Sequence, residues 1–244
     1  MNRSVNDSVR IAARSFTFTD PIVEIGSLYM PGFEKLGDLR RHFPEHAYIG
    51  CDIRHGSGVD RIERAEHLSF ADKSVGAVVL CEILEHLPDP ARAVAEAHRV
   101  LRDDGLLVVS VPFQFRLHGF PTDYWRFTPS GVHVLLSAFP ETIIFALGPR
   151  LKPSHVFAVA VKQPTHDFAV CKERFVAAIR SEFLRSRLRG HWSELKGRGR
   201  DFFGCLLGRA QLGVFFFDPS APGAYASMTA DSARQAPLSE RRSP

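Results

Sequence analysis

The 244-residue chain contains no apolar run approaching the roughly 18 to 20 residues that a membrane-spanning helix requires. Its opening, MNRSVNDSVRIAARSF, has neither an apolar block nor a small-residue cleavage site. A secreted or membrane-spanning chain is therefore not expected, and the cytoplasm is the expected location. Cysteine is sparse: Cys51, Cys81, Cys171 and Cys205 include no CxxC pair, which argues against a zinc ribbon or dithiol motif. Two of them sit in strand-like apolar runs, so all four are expected to be reduced and mostly buried. No metal site is expected either. His42 and His46 have helical ligand spacing, but Pro44 interrupts them and no third ligand is evident. A GxGxxG turn is absent after the first apolar run, which argues against a nicotinamide dinucleotide site.

What is present is an ordinary globular composition, 45% hydrophobic and 24% charged. Charge is unevenly spread. Residues 1–162 carry 18 Lys and Arg against 19 Asp and Glu, whereas residues 163–244 carry 13 against 8. That shift marks a boundary. The expected organisation is an N-terminal segment over 1–17, a catalytic domain over 18–162, a basic amphipathic helical extension over 163–217 and a disordered tail over 218–244. Phe and Trp alternate with Arg within residues 167–217, a pattern open to a solvated helix face or to peripheral contact with a membrane surface. Nucleic acid is not an expected partner, because no binding motif accompanies the basic residues.

Several apolar runs read as strands covered on both faces: Pro21–Gly26, Ala47–Asp52, Val75–Cys81, Leu106–Val111, Ile143–Leu147 and Val156–Val161. Between the third and fourth lies a clear helix, Asp89–Leu101, with Asp89 as cap and Pro90 in its first turn. Strand and helix alternation implies a mostly parallel α/β sheet. Only Gly148–His155 separates the last two runs, so they are expected to pair as an antiparallel hairpin at the sheet edge. About ten residues separate Asp52 from the apolar turn around Ala65, too few for a full crossover helix.

Ligands of open parallel sheets bind beyond the carboxyl ends of the strands. Gly26 at the first such end can let backbone N–H groups approach a ligand, and Asp52 at the next can accept from a ribose diol. The succession PIVEIGS (21–27), YIGCDIRHGSGVD (48–60), AEHLSF (65–70), VVLCEILEHLPDP (78–90), EAHRVLRDDGLLVVSVPF (96–113) and HGFPTDYWRFTPSGV (118–132) resembles the methyltransferase type 11 family of class I enzymes. The resemblance implies a doubly wound, Rossmann-like seven-stranded sheet with an antiparallel last strand. It also implies S-adenosyl-L-methionine as cofactor. Glu24, Gly26 and Ser27 would then hold the methionine part, Asp52 the ribose hydroxyls and Ile53 the adenine face. Ala65 and Glu66 would line the adenine edge, and Cys81 and Glu82 would close the pocket beside the sulfonium.

The implied activity is methyl transfer, with oxygen of a small molecule or saccharide as the expected acceptor. Three positions depart from the family's habit: Gly26-Ser27-Leu28 has no second glycine, Arg64 stands where an acid often precedes Ala65, and Gly76 opens a strand that usually opens with Asp. A domain that keeps the fold but binds or regulates without turnover is the alternative these departures leave open. The segment from Leu117 to Thr128 concentrates a His, an acid, an Arg and aromatic rings at a carboxyl edge. His118 has the ordinary pKa of a general base, with Asp123 as alternative base or as its orienting group. An ion pair between Asp123 and Arg126, with Tyr124 and Trp125 packing as architecture, is the competing reading of the same residues. Glu85 and His86 are expected to pack or cap the following segment, with reach into the site as the other reading.

Overall fold

Unbroken apolar runs build the centre of a sheet whose two faces are both covered. The computed structural model describes residues 3–119, 121–149, 153–197, 212–217 and 225–227. Its strands are β1 (Ile22–Ile25), β2 (Tyr48–Asp52), β3 (Arg61–Ile62), β4 (Val75–Cys81), β5 (Leu101–Pro112), β6 (Glu141–Pro149), β7 (His155–Val161), β8 (Leu212–Phe217) and β9 (Tyr225–Ser227). They form one sheet in the order β3-β2-β1-β4-β5-β7-β6-β8-β9. The first five are mutually parallel, and β7 runs antiparallel to both β5 and β6. This is the doubly wound arrangement expected, with seven strands in the expected pattern and two more beyond β6.

The helices are α1 (Arg3–Ser15), α2 (Glu34–Gly37), α3 (Pro90–Val100), α4 (Pro129–Leu135) and α5 (His166–Gly197). Helix α3 starts where its chemistry dictates: the Asp89 side chain accepts from Arg92 N at 2.9 Å and Pro90 occupies the first turn. Alternate side chains of each strand feed two cores. On one face α1 and α5 pack Val9, Phe16, Phe168, Phe175 and Ile179 against Phe145, Phe157 and Val159. On the other, α3 and α4 pack Val94, Ala97 and Val132 against Val78, Leu107 and Ile144. Each fully buried Phe or Leu in these layers contributes roughly 1.5–3 kcal/mol.

Four expectations change. The N-terminal segment is not an appendage, since Val5, Val9 and Ala12 of α1 are fully buried in the first core. The β6–β7 hairpin is internal, because β5 pairs with β7 on one side and β8 with β6 on the other. Residues 212–217, expected as helix, are strand β8, and residues 225–227 of the expected disordered tail are strand β9. The apolar stripe of the basic extension, Phe168, Cys171, Phe175 and Ile179, is buried against α1 and the sheet, so these side chains are not available to a lipid surface. Phe202, Phe203 and Leu206, expected to continue that helix, lie outside the described residues. Among the described residues no helix is long and apolar enough to cross a membrane. Cys51, Cys81 and Cys171 are free and buried as expected, and Cys205 lies outside the described residues.

Gly76 has a backbone reason. A Cβ at that position would stand 1.9 Å from the carbonyl oxygen of Thr19, because the chain entering β1 crosses directly over the start of β4, where Gly76 N donates to Pro21 O at 2.9 Å. The family's Asp cannot fit here without moving that segment. Gly76→Ala should therefore cost about 3 kcal/mol of unfolding free energy through overpacking. Urea denaturation checks this, and an unchanged midpoint would contradict the close approach.

Candidate active site

The parallel register brings the carboxyl ends of β1, β2 and β4 side by side: Ile25 is level with Cys51, and Glu24 with Gly50 and Val79. Gly26 turns the chain out of β1 with φ +86°, a conformation that disfavours any side chain, and its N–H donates to Cys51 O at 2.7 Å. The Ser27 side chain lies against Gly50, whose added Cβ would come within 2.8 Å of the hydroxyl. That hydroxyl is buried without a hydrogen-bond partner among the described residues. Asp52 is buried, and its contacts with Arg54, from N at 3.0 Å and from Nε at 3.5 Å, both fall on Oδ1. Ile53 beside it is 60% exposed.

Glu24 is buried and accepts from the Tyr48 hydroxyl at 2.8 Å. Burial pushes its carboxyl up to about 7, partly offset by that hydrogen bond. Ala65 is a core residue, while Glu66 is half-buried and its carbonyl accepts from Arg92 Nε at 3.2 Å. Cys81 packs into the core on the α1 side, and burial drives its thiol upward, so it serves as a wall and not as a nucleophile. Glu82 follows with φ +56° and receives Ser110 Oγ at 2.8 Å and His155 Nε2 at 3.0 Å. Burial alone would raise the Glu82 carboxyl, but His155 and Ser110 hold it below its ordinary range. His155, at the start of β7, went unnoticed in the sequence because only the internal position of the hairpin places it there.

The predicted catalytic pair is brought together. His118 Nδ1 lies 3.2 Å from Asp123 Oδ2, which also accepts from His118 N at 2.8 Å. Asp123 is bound at both oxygens by the Arg126 guanidinium, at 2.6 and 2.8 Å, and this partner holds its carboxyl far below the usual range. Such a carboxylate is a poor proton acceptor. The ion pair with Arg126 is present as the competing reading has it. The other face of the His118 ring meets residues first expected to pack: its Nε2 is 3.8 Å from Glu85 Oε1, and so is Nε2 of His86. Glu85 is fully buried, and burial together with nearby Glu82 raises its carboxyl well above the usual value.

Arg64 is exposed, and the acid of its turn is Glu63, one residue earlier, which accepts from Ser69 N at 2.9 Å and pairs with Arg61 at 2.7 Å.

Parts of this chain are similar to known proteins. Residues 39–109 match the family model described as a methyltransferase domain. A probable S-adenosylmethionine-dependent methyltransferase of Mycolicibacterium smegmatis is 42% identical over 65 residues, 27% of this chain and 23% of that one. The chain spans less than a quarter of the length of the curated relatives it matches. An S-adenosylmethionine-dependent methyltransferase from Thermotoga maritima superposes with a TM-score of 0.50 at 19% identity, covering 66% of this chain and 90% of that one. The 1,6-didemethyltoxoflavin-N1-methyltransferase of Burkholderia thailandensis, solved with its substrate and S-adenosylhomocysteine, superposes with a TM-score of 0.51 at 16% identity, covering 66% and 79%. The sheet order and these superpositions show a fold shared with S-adenosylmethionine-dependent methyltransferases, and residues 39–109 are similar to a methyltransferase domain.

The buried Glu24 gives a pH signature. Its folded pKa lies above the ordinary 4.5, so protonated Glu24 is favoured by folding, and that stability is lost as pH rises from 4.5 through about 7. Glu24→Gln removes the dependence. Relative to wild type the variant should gain up to about 3 kcal/mol between pH 5 and 8, since each tenfold change in proton affinity is worth about 1.4 kcal/mol. Urea denaturation at several pH values measures the difference, and a pH-independent gap would refute the buried, uncompensated carboxyl.

Proposed function

We propose that the domain transfers a methyl group from S-adenosylmethionine to an oxygen of a small-molecule or saccharide acceptor. The observation that carries the reading is the row of Glu24, Gly26, Asp52 and Glu82 at the ends of three adjacent parallel strands. The residues fit the cofactor's chemistry. Asp52 Oδ2, with no protein donor on it among the described residues, can accept from a ribose hydroxyl. Ser27 brings a buried hydroxyl in need of a partner, and exposed Ile53 offers an apolar surface to a purine. Glu82, held below its ordinary range by His155 and Ser110, gives the pocket the negative potential that a cationic methyl donor favours.

When bound, the cofactor supplies the activated methyl; the chain supplies placement. In-line displacement depends on holding two reactants in near-attack geometry. The loop from Phe113 to Thr128 hangs over the same sheet edge and is pinned there by Tyr124 N donating to Glu85 O at 2.8 Å and by Trp125 Nε1 donating to Leu87 O at 2.9 Å. His118 on this loop lies 3.8 Å from Glu85 Oε1. A hydroxyl acceptor needs its proton drawn away as it attacks, and His118, oriented by Asp123, is the group positioned to promote this. The exposed rings of Phe115, Tyr124 and Trp125 on the loop suit an acceptor with an apolar or sugar face.

Asp52→Ala should weaken S-adenosylmethionine binding by about 2–4 kcal/mol without unfolding the chain. Calorimetric titration measures this, and an unchanged dissociation constant would reject the ribose assignment. An acceptor screen with tritiated S-adenosylmethionine identifies the substrate class. With an acceptor in hand, His118→Ala should lower kcat by about 100-fold while cofactor affinity holds. Near-wild-type turnover would reduce the loop to architecture.

A further inference from the structure

We propose that Glu85, His86 and His118 bind a divalent transition-metal ion at the carboxyl edge of the sheet. One ligand atom from each residue can be chosen so that all three lie within 4.8 Å of one another. The two pairs from Glu85 Oε1 to the imidazole Nε2 atoms, at 3.8 Å, need close by only a few tenths of an ångström to span an ion with bonds of about 2.0–2.2 Å. Glu85 supplies the independent sign of a missing cation. It is 0% exposed, and neither carboxylate oxygen has a hydrogen-bond partner among the described residues. A buried carboxylate is tolerated when it is paired or coordinates a metal.

The rings are oriented from behind, as metal-binding imidazoles are. His86 Nδ1 is 2.5 Å from the carbonyl oxygen of Thr122, an acceptor only, so this nitrogen carries the proton and Nε2 presents a lone pair. Asp123, kept ionised by Arg126, stands 3.2 Å from Nδ1 of His118 and favours the same tautomer there. Two imidazole lone pairs then converge on a buried carboxyl group, whose proton a bound ion would displace. The nearest fixed cation does not fill the gap: the Arg126 guanidinium is committed to Asp123 and to the carbonyls of Phe115, Arg116 and Trp125. Close approach of the two segments needs Gly119, with φ +61°, where a Cβ would stand 2.8 Å from the His86 ring.

Two imidazoles and one carboxylate suit zinc, cobalt, manganese or ferrous ions better than magnesium or calcium. Both rings are partly open to solvent, which leaves coordination positions for water or for an acceptor oxygen whose proton the ion would help release. In that arrangement His118 promotes the acceptor's deprotonation as a ligand. The metal site stands on its own geometry, independent of methyl transfer.

The test uses the full chain, stripped with chelator and titrated with Co²⁺ and then Zn²⁺ in the absence of S-adenosylmethionine. One Co²⁺ per chain should bind, with visible d–d absorption that Zn²⁺ abolishes, and the thermal midpoint should rise with either ion. Glu85→Gln, nearly isosteric, and His118→Ala should each weaken binding by roughly 100-fold or more. Circular dichroism and a parallel S-adenosylmethionine titration of Glu85→Gln confirm that the domain is intact. Absence of stoichiometric binding at 100 μM of Co²⁺, Zn²⁺ and Mn²⁺, at a level chosen about tenfold above a weak site, overturns the proposal. So does binding that both variants leave unchanged. Failure of S-adenosylmethionine to bind the wild-type chain would instead count against the methyl-transfer reading alone.

Discussion

Three carboxylates are withdrawn from water at one edge of a parallel sheet, and the surrounding structure is arranged around how each charge is met. Glu24 is met by a neutral donor, the Tyr48 hydroxyl, and is pushed toward neutrality by its burial. Glu82 has His155 and Ser110 and stays ionised. Glu85 has two imidazoles near one oxygen and no hydrogen bond among the described residues. An uncompensated buried charge costs several kcal/mol, so this gradient of compensation distinguishes groups already satisfied from groups that await a cation. A metal ion on Glu85 would answer the one demand left unmet among the three.

The topology makes this concentration of charge tolerable. Strands β1, β2 and β4 are parallel, so their ends fall on one edge, and β5 delivers its following loop to the same place. Insertion of antiparallel β7 beside β5 then brings His155, the first residue of that strand, level with Pro112 and onto Glu82. Helices α1 and α5 hold the opposite layer in place through the Phe16, Phe168 and Phe175 ring contacts, at 5.5 and 5.3 Å between centroids. The basic extension thereby joins the core through its apolar stripe, while Lys172, Arg174 and Arg180 are exposed.

What the sequence made legible was what depends on local pattern. The unbroken apolar runs marked the inner strands, Asp89 and Pro90 marked the start of α3, and the short stretch between β2 and β3 left no room for a helix, as found. Asp52, Gly26 and the His118–Asp123 pair could be singled out because strand ends and loops at one edge are ordered by the alternation itself. What stayed hidden depends on contacts across the chain. Glu85 and His86 read as capping residues because their partner lies over thirty positions away, on a loop whose docking geometry no periodicity encodes. The β8 strand went unseen since Leu212–Phe217 is a short apolar run after a glycine-weakened helix pattern, and pairing with β6 decides its conformation. The ion pair of Asp123 with Arg126 was one of two readings of that loop, and both guanidinium contacts are present.

The same distinction bears on the departures from the family pattern. A residue type missing at a motif position suggests lost function only if the position still has the geometry in which that residue would act. At the opening of β4 it does not: the Thr19 carbonyl occupies the space of any side chain, so Gly76 answers to the path of the chain into β1. At the turn before Ala65 the acid has moved back one place to Glu63, where it anchors Ser69 and Arg61, and Arg64 faces solvent. After β1, the absent second glycine leaves Leu28 and Tyr29 to pack over Gly56 and Gly58, whose own lack of side chains makes the room. Each departure is matched by a compensating neighbour within the fold, and none removes a group from Asp52, Glu82 or His118. The departures therefore describe how this chain builds the edge of its sheet.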